Sequence, residues 1–206
     1  MQQTCLYEGM ELGIDFEFDE IKEITKTSEG FIVKTDYDEF NSKAVIIATG
    51  VKHKKLNLPN EEDLIGRGIS YCATCDGPFF KDQDVAVIGD GNSAFQYALL
   101  LANYCKSVTI CTLFDWFVAD NALVEKAKTL DNVKIITDVS TNEYLISDNN
   151  ELTGLKLKNL KTNEESSINV NGCFIAIGQI PDNKIFTNLV DLDAQGFIIA
   201  NESCLT

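Results

Sequence analysis

The stretch Asp84-Val-Ala-Val-Ile-Gly89-Asp-Gly91-Asn-Ser-Ala94-Phe-Gln-Tyr-Ala-Leu-Leu-Leu101 decides the fold. A short apolar run ends in glycine, and a small-residue turn then opens a helix with an apolar face. This is the strand-turn-helix setting in which G-x-G-x-x-A binds a dinucleotide. The first glycine permits the tight turn, the second lets a pyrophosphate approach the backbone, and the small third residue draws helix and strand together. Gly89, Gly91, Asn92, Ser93 and Ala94 are therefore candidate cofactor-binding residues; the plainer alternative is a Rossmann turn that holds nothing.

Outward from this turn the pattern alternates. A helix is expected over 93–104, a strand over 107–112, a helix over 122–130 and a strand over 133–137, the sign of a parallel sheet built from right-handed crossovers. Strands expected at 140–147, 152–159 and 166–170 are separated by Asp148-Asn149-Asn150 and Thr162-Asn163-Glu164, so they form an antiparallel meander covering the sheet. Phe174 to Gly178 reads as one more buried strand, and Pro181 as a boundary. On the N-terminal side, strands are expected at 13–18, 31–35 and 43–48, with a further one around Glu20 to Ile24. The polar segment VKHKKLNLPNEED after Gly50 reads as a linker, and a last short strand is expected at 197–200. The fold class is α/β.

Composition bounds the function. The 206 residues are 45% hydrophobic and 24% charged, enough for one or two globular domains without disulfide or metal staples. Thirty-two acidic residues against 17 basic ones give a net charge of −15, which opposes nucleic acid. Arg67 is the sole arginine. No run approaches the ~20 apolar residues of a membrane span, and the N-terminus lacks a signal-peptide layout, so a cytoplasmic protein is expected. Cys5, Cys105, Cys111, Cys173 and Cys204 are scattered singly and read as small buried hydrophobes.

The close pair Cys72-Ala-Thr-Cys75 fits a redox disulfide or half of a zinc site. Zinc needs two more soft ligands, and the chain offers no second pair and a single histidine, His53. Redox chemistry is favoured and no metal is expected. Asp76, next in line, supplies a carboxyl able to move protons during thiol exchange, or else is a simple turn residue. The residue expected to hold an adenosine ribose falls about 20 residues after the glycine turn. There the sequence reads Thr112-Leu-Phe-Asp-Trp-Phe-Val118, in which Asp115 either serves the ribose or is an exposed loop aspartate.

In order along the chain, AVIIATG, a Leu-x-Leu-Pro segment, GISYCATCDGPFF, GDGNSA and FIAIGQIPDN make the sequence resemble the low-molecular-weight thioredoxin reductases, flavin-dependent disulfide oxidoreductases. The resemblance implies a Rossmann-like nicotinamide-nucleotide domain at 54–181, inserted between parts of an FAD domain at 1–53 and 182–206. It implies that Cys75 lies against the flavin, that Cys72 attacks the substrate disulfide and that Asp76 is the acid-base residue. Thr49, Gly50 and the strand around Ile21 correspond to positions near FAD, and Gly89, Gly91 and Ala94 to the turn over the nucleotide. Electrons would pass through FAD to Cys72/Cys75 and on to a thioredoxin-like protein.

Two departures qualify this. The family's basic stretch that grips the 2′-phosphate of NADPH is replaced by Thr112, Leu113, Phe114 and Val118, which disfavours NADPH, leaves NADH open and resembles ferredoxin-dependent flavin thioredoxin reductases. The glycine-rich FAD fingerprint and the C-terminal Gly-Asp motif have no counterpart between Met1 and Thr206. The chain is therefore expected to be a central fragment that binds FAD weakly or not at all. By itself it would be inactive, or a non-catalytic nucleotide-binding or interaction module. The family is commonly homodimeric.

Overall fold

The computed structural model describes residues 2–203. Two compact units form, one from Met1–Lys52 with Ile180–Thr206, the other from His53–Gln179.

In the first unit a helix, α1 (Gln2–Glu11), precedes an antiparallel three-stranded sheet of β1 (Ile21–Lys26), β2 (Phe31–Thr35) and β3 (Glu39–Ser42). The turn between β1 and β2 closes where Thr27 N–H donates to the Gly30 carbonyl, 2.8 Å. Gly30 takes φ +146°, and a Cβ there would strike the Ser42 carbonyl at 2.2 Å, so only glycine fits. Neither 13–18 nor 43–48 is a strand, contrary to expectation. AVIIATG is apolar enough for a buried parallel strand, but such a strand exists only when neighbours take its backbone hydrogen bonds. No described strand lies beside it, and Ile46 is 91% exposed.

The chain passes from one unit to the other along β4 (Val51–His53), and the segment that follows is no free linker. Leu64 is fully buried, and Leu56 and Leu58 pack on the core of the second unit. There β5 (Ile69–Ser70) leads into a one-turn helix, α2 (Ala73–Asp76), and a 3-10 turn at Gly77–Phe80. Then come β6 (Asp84–Ile88), α3 (Asn92–Leu101), β7 (Ser107–Cys111), α4 (Asn121–Lys128) and β8 (Val133–Ile136). The meander is β9 (Val139–Ile146), β10 (Leu152–Asn159) and β11 (Glu165–Asn169), followed by β12 (Gly172–Ile175) and β13 (Gln179–Pro181). The expected strand at 197–200 reduces to one bridge, Leu192 to Ile198.

The strands β5-β12-β6-β7-β8, in that order, form a parallel sheet. Its central strands β6 and β12 read as unbroken apolar runs because both faces are covered. On one face Phe95, Ala98 and Leu101 of α3 and Val124 and Ala127 of α4 pack against Val85, Val87, Val108, Ile110 and Phe174. On the other face Leu152, Leu155, Leu157 and Tyr144 of the meander cover Ile69, Ala86, Ile88, Cys111 and Cys173. The two meander turns close at Asn150 and Asn163, both left-handed, with φ +58° and +61°. Cys105, Cys111 and Cys173 are buried as expected, while the side chains of Cys5 and Cys204 lie outside the described residues.

Candidate functional site

Strand β5 delivers the cysteine pair to the end of the parallel sheet. Cys72 leaves the strand extended, at φ −137°, and caps α2: its Sγ accepts the Cys75 N–H at 3.2 Å. One turn later Cys75 comes round, and the two are joined as a disulfide. The spacer is small for a packing reason, since Ala73 is fully buried against the α3 face while Thr74 points outward. Cys75 is exposed and Cys72 half-buried.

Behind the pair sits a polar network that sequence reasoning missed. The Ser70 hydroxyl donates to Asp76 Oδ2 at 2.6 Å and accepts the Cys72 N–H at 3.0 Å. Tyr71 donates its hydroxyl to Glu61 at 2.6 Å, and its carbonyl accepts the Tyr97 hydroxyl at 2.9 Å. Glu61, only 3% exposed, also accepts the Leu56 and Leu58 amides, 3.0 and 3.2 Å, and so pins the turn before the cysteines. Burial first, then the Glu61 carboxylate, pushes the Tyr71 phenol far up, which keeps it a donor. His53 stacks on Tyr71 with ring centroids 5.4 Å apart. Among the described residues no three His, Cys, Asp or Glu side chains gather to hold a metal ion.

The glycine turn stands at the end of β6. Gly89 has φ +145°, and a Cβ there would lie 2.3 Å from the Ala176 carbonyl and 3.1 Å from Ala94 Cβ. Gly91 is the opposite case, with nothing within 4 Å of a Cβ. No side chain caps α3; the Ala94 N–H turns back to the Gly91 carbonyl at 3.0 Å, which leaves the amides of Asn92 and Ser93 for a ligand. Asn92 is spent on structure: its amide donates to Asp120 Oδ2 at 3.1 Å while its Oδ1 accepts the Asp120 N–H at 2.7 Å. Ser93 is exposed and Ala94 fully buried. A cavity of about 230 Å³ adjoins the turn, walled by Ile88, Gly89, Asp90, Cys111, Leu113 and Thr141 among others. The Thr141 hydroxyl is buried there without a partner. An open glycine, an uncapped helix and an orphaned hydroxyl fit a dinucleotide pyrophosphate.

The loop after β7 does not fit a 2′-phosphate. Thr112 is buried and its hydroxyl donates to the Phe114 carbonyl, 2.7 Å. Leu113, Phe114, Trp116 and Val118 are exposed apolar groups, with Phe114 stacked on Trp116 at 5.0 Å. Asp115 is engaged by Lys161, a residue of the β10–β11 turn.

In the other unit Ile21, Thr49 and Gly50 line one cleft of about 420 Å³ with Asp19, Glu20, Lys52, Asp182 and Phe186. Thr49 Oγ1 lies 3.5 Å from Asn183 Oδ1, and Gly50 is left-handed, φ +69°, with open space around it. The cleft suits a neutral ring. It does not suit the phosphates of FAD, because it carries three carboxylates, and Lys52, its single cation, pairs with Asp182 at 3.5 Å.

The sequence model of the pyridine nucleotide-disulphide oxidoreductases matches residues 5–206. The chain belongs to this family. Within the family it is 46% identical over 157 residues to a thioredoxin reductase of Streptomyces coelicolor, covering 76% of this chain and 48% of that protein. A thioredoxin reductase of Listeria monocytogenes is 37% identical over the whole chain, which spans 64% of it. The chain thus spans about half to two-thirds of the length of these relatives. The crystal structure of Lactococcus lactis thioredoxin reductase (FR conformation) superposes with a TM-score of 0.80 at 34% identity, over 96% of this chain and 65% of that one. No helix among the described residues is long and apolar enough to cross a membrane.

Ser70, Glu61 and Lys161 were the residues missed. Ser70 carried a usable signal, being a polar residue between Ile69 and Tyr71; Glu61 lies in the polar run Asn60-Glu61-Glu62-Asp63 and Lys161 lies 46 positions from Asp115, and neither carried one.

Proposed function

We propose that the chain is the redox-disulfide and nucleotide-binding portion of a thioredoxin reductase-like flavoenzyme. The observation that carries the reading is the Cys72–Cys75 disulfide at the exposed start of α2 with the Asp76 carboxyl held beside it. In this reading 54–181 is the nicotinamide-nucleotide domain, and 1–53 with 182–206 belong to an FAD domain. Gly89, Gly91, Asn92, Ser93 and Ala94 line the pyrophosphate turn, of which Asn92 acts through Asp120. Thr49 and Gly50 would lie near the FAD, and the strand around Ile21 would line its adenine. A bound flavin would supply the two electrons needed to open the disulfide.

The chain's own residues do the rest. Cys75, the exposed member of the pair, would be the sulfur that takes up electrons where a flavin is held. Cys72 then acts as a thiolate on the disulfide of a thioredoxin-like protein, forming a mixed disulfide and expelling one partner thiolate. Cys75 attacks Cys72 Sγ, re-forms the internal disulfide and releases the second partner thiolate. The dithiol loses two electrons and two protons and the partner gains both, with Asp76 holding a proton between steps.

A second reading of the electron source is favoured by the loop after β7. With no free cation on it, reduced ferredoxin delivering electrons to the flavin, or NADH, suits the site better than NADPH.

The test is a trap. The reduced Cys75→Ser chain, mixed with an oxidised thioredoxin, should give a mixed disulfide through Cys72 that runs as a dithiol-sensitive adduct, and Cys72→Ser should give none. No adduct, or an equal one from both variants, overturns the reading.

A further inference from the structure

Asp76 follows Cys75 in sequence, yet what fixes its carboxyl is a residue six positions earlier. Ser70 is 3% exposed at the end of β5, where its backbone is locked in register beside Phe174 of β12. Its hydroxyl has one proton to give. Two acceptors are in range, Asp76 Oδ2 at 2.6 Å and the Cys72 carbonyl at 3.3 Å, and the shorter contact takes the proton. The hydroxyl oxygen in turn accepts the Cys72 N–H at 3.0 Å. One buried group thus ties the attacking cysteine's backbone to the carboxyl that serves it.

We infer that Ser70 is a positioning residue for proton transfer at the cysteine pair: by holding Asp76 Oδ2 it leaves Oδ1 as the oxygen that carries and releases the proton. The inference rests on the reading of Cys72, Cys75 and Asp76 given above. In exchange with an alkyl disulfide, Cys72 Sγ bonds to one sulfur, the substrate S–S bond breaks, and the departing alkyl thiolate takes its proton from Asp76. The Cys75 thiol returns a proton to Asp76 as its sulfur attacks Cys72 Sγ and expels the second alkyl thiolate. An aromatic disulfide differs, because its leaving thiolate is a weak base and needs no proton.

This difference separates positioning from mere structural support. The full chain carrying Cys5→Ser and Cys204→Ser is reduced with a dithiol, desalted and mixed with 2-hydroxyethyl disulfide or with an aromatic nitrobenzoate disulfide across pH 6–9. Ser70→Ala should slow the alkyl reaction roughly tenfold, a part of the 10²–10⁴ that general acid catalysis contributes. It should flatten the pH profile and leave the first release of aromatic thiolate, which precedes the attack by Cys75, unchanged. Ser70→Thr, which keeps the hydroxyl, should restore the rate, and Ser70→Ala should add nothing in an Asp76→Asn background. An unchanged alkyl rate in Ser70→Ala, equal slowing of both disulfides, or additivity with Asp76→Asn would overturn the role of Ser70 and leave the cysteine chemistry standing. Undiminished exchange in Cys72→Ser would overturn the underlying reading instead.

Discussion

Lys161 Nζ lies 2.8 Å from Asp115 Oδ2 and 3.0 Å from Asp138 Oδ2, so the lysine that meets the loop after β7 is shared between two carboxylates. Local charge there is net negative. The Lys161 ammonium, by hydrogen bond and charge, holds the Asp115 carboxyl below its usual range, so the acid stays ionised at neutral pH.

A nucleotide bearing a 2′-phosphate would meet this negative charge beside apolar Leu113 and Phe114. Trp116, the only tryptophan, sits in the loop and reports binding by its fluorescence. Titration of the chain should show NADPH binding at least about tenfold more weakly than NADH, the equivalent of ~1.4 kcal/mol. Leu113→Arg with Phe114→Arg should narrow or reverse that ratio. Equal affinity for the two nucleotides in the unaltered chain would contradict the assignment.

The two glycines of the turn should fail in different ways. Gly89→Ala places a Cβ 2.3 Å from the Ala176 carbonyl at φ +145°. It should cost roughly 2–4 kcal/mol in denaturant midpoint analysis through strain and overlap. Gly91→Ala enters open space at an extended backbone and should cost no more than about 1 kcal/mol. On the proposed reading its methyl would stand in the approach of the pyrophosphate, so nucleotide affinity should fall about tenfold or more in the same Trp116 titration. If stability and binding fell together in both variants, the division of labour would be wrong.

The buried thiols predict an alkaline limit. Burial pushes Cys105 up to about 11, Cys111 up to about 12, and Cys173 well above the ordinary thiol. The unfolded chain ionises these thiols near 9.0 while the folded chain keeps them protonated. The folded state therefore binds more protons above that pH, and stability, intact below pH 9.0, falls as pH rises toward the folded values. At pH 10 the loss is about 1 kcal/mol for each of Cys105 and Cys111. Urea unfolding at pH 8 and pH 10 should show it, and Cys111→Val should remove roughly one share of the slope.

The parallel sheet and its meander were legible because their segments state their own partners. Apolar runs of strand length alternate with amphipathic helices, and Asn-bearing turns separate the three meander strands. The expected strand Phe31 to Thr35 and the expected strand Leu152 to Asn159 coincide with β2 and β10. AVIIATG was misread for the opposite reason. Its composition states that it would be a strand, but only neighbouring strands make it one, and none is described beside it. The segment after Gly50 looked like a linker because charge dominates it, while Leu56, Leu58 and Leu64 are spaced to reach the core between the charges.

By itself the sequence determined the glycine turn, the cysteine pair and the missing phosphate clamp, since each is a property of adjacent residues whose spacing fixes their geometry. Tertiary structure alone decided what surrounds them. Ser70 reaches Asp76 because α2 folds back one turn onto the end of β5, and Glu61 reaches Tyr71 because Leu56, Leu58 and Leu64 anchor the segment around it to the core. Lys161 reaches Asp115 across 46 residues because the meander lies on the sheet. Hydrogen bonds and ion pairs between distant positions depend on how layers pack, and that packing is a property of the whole core.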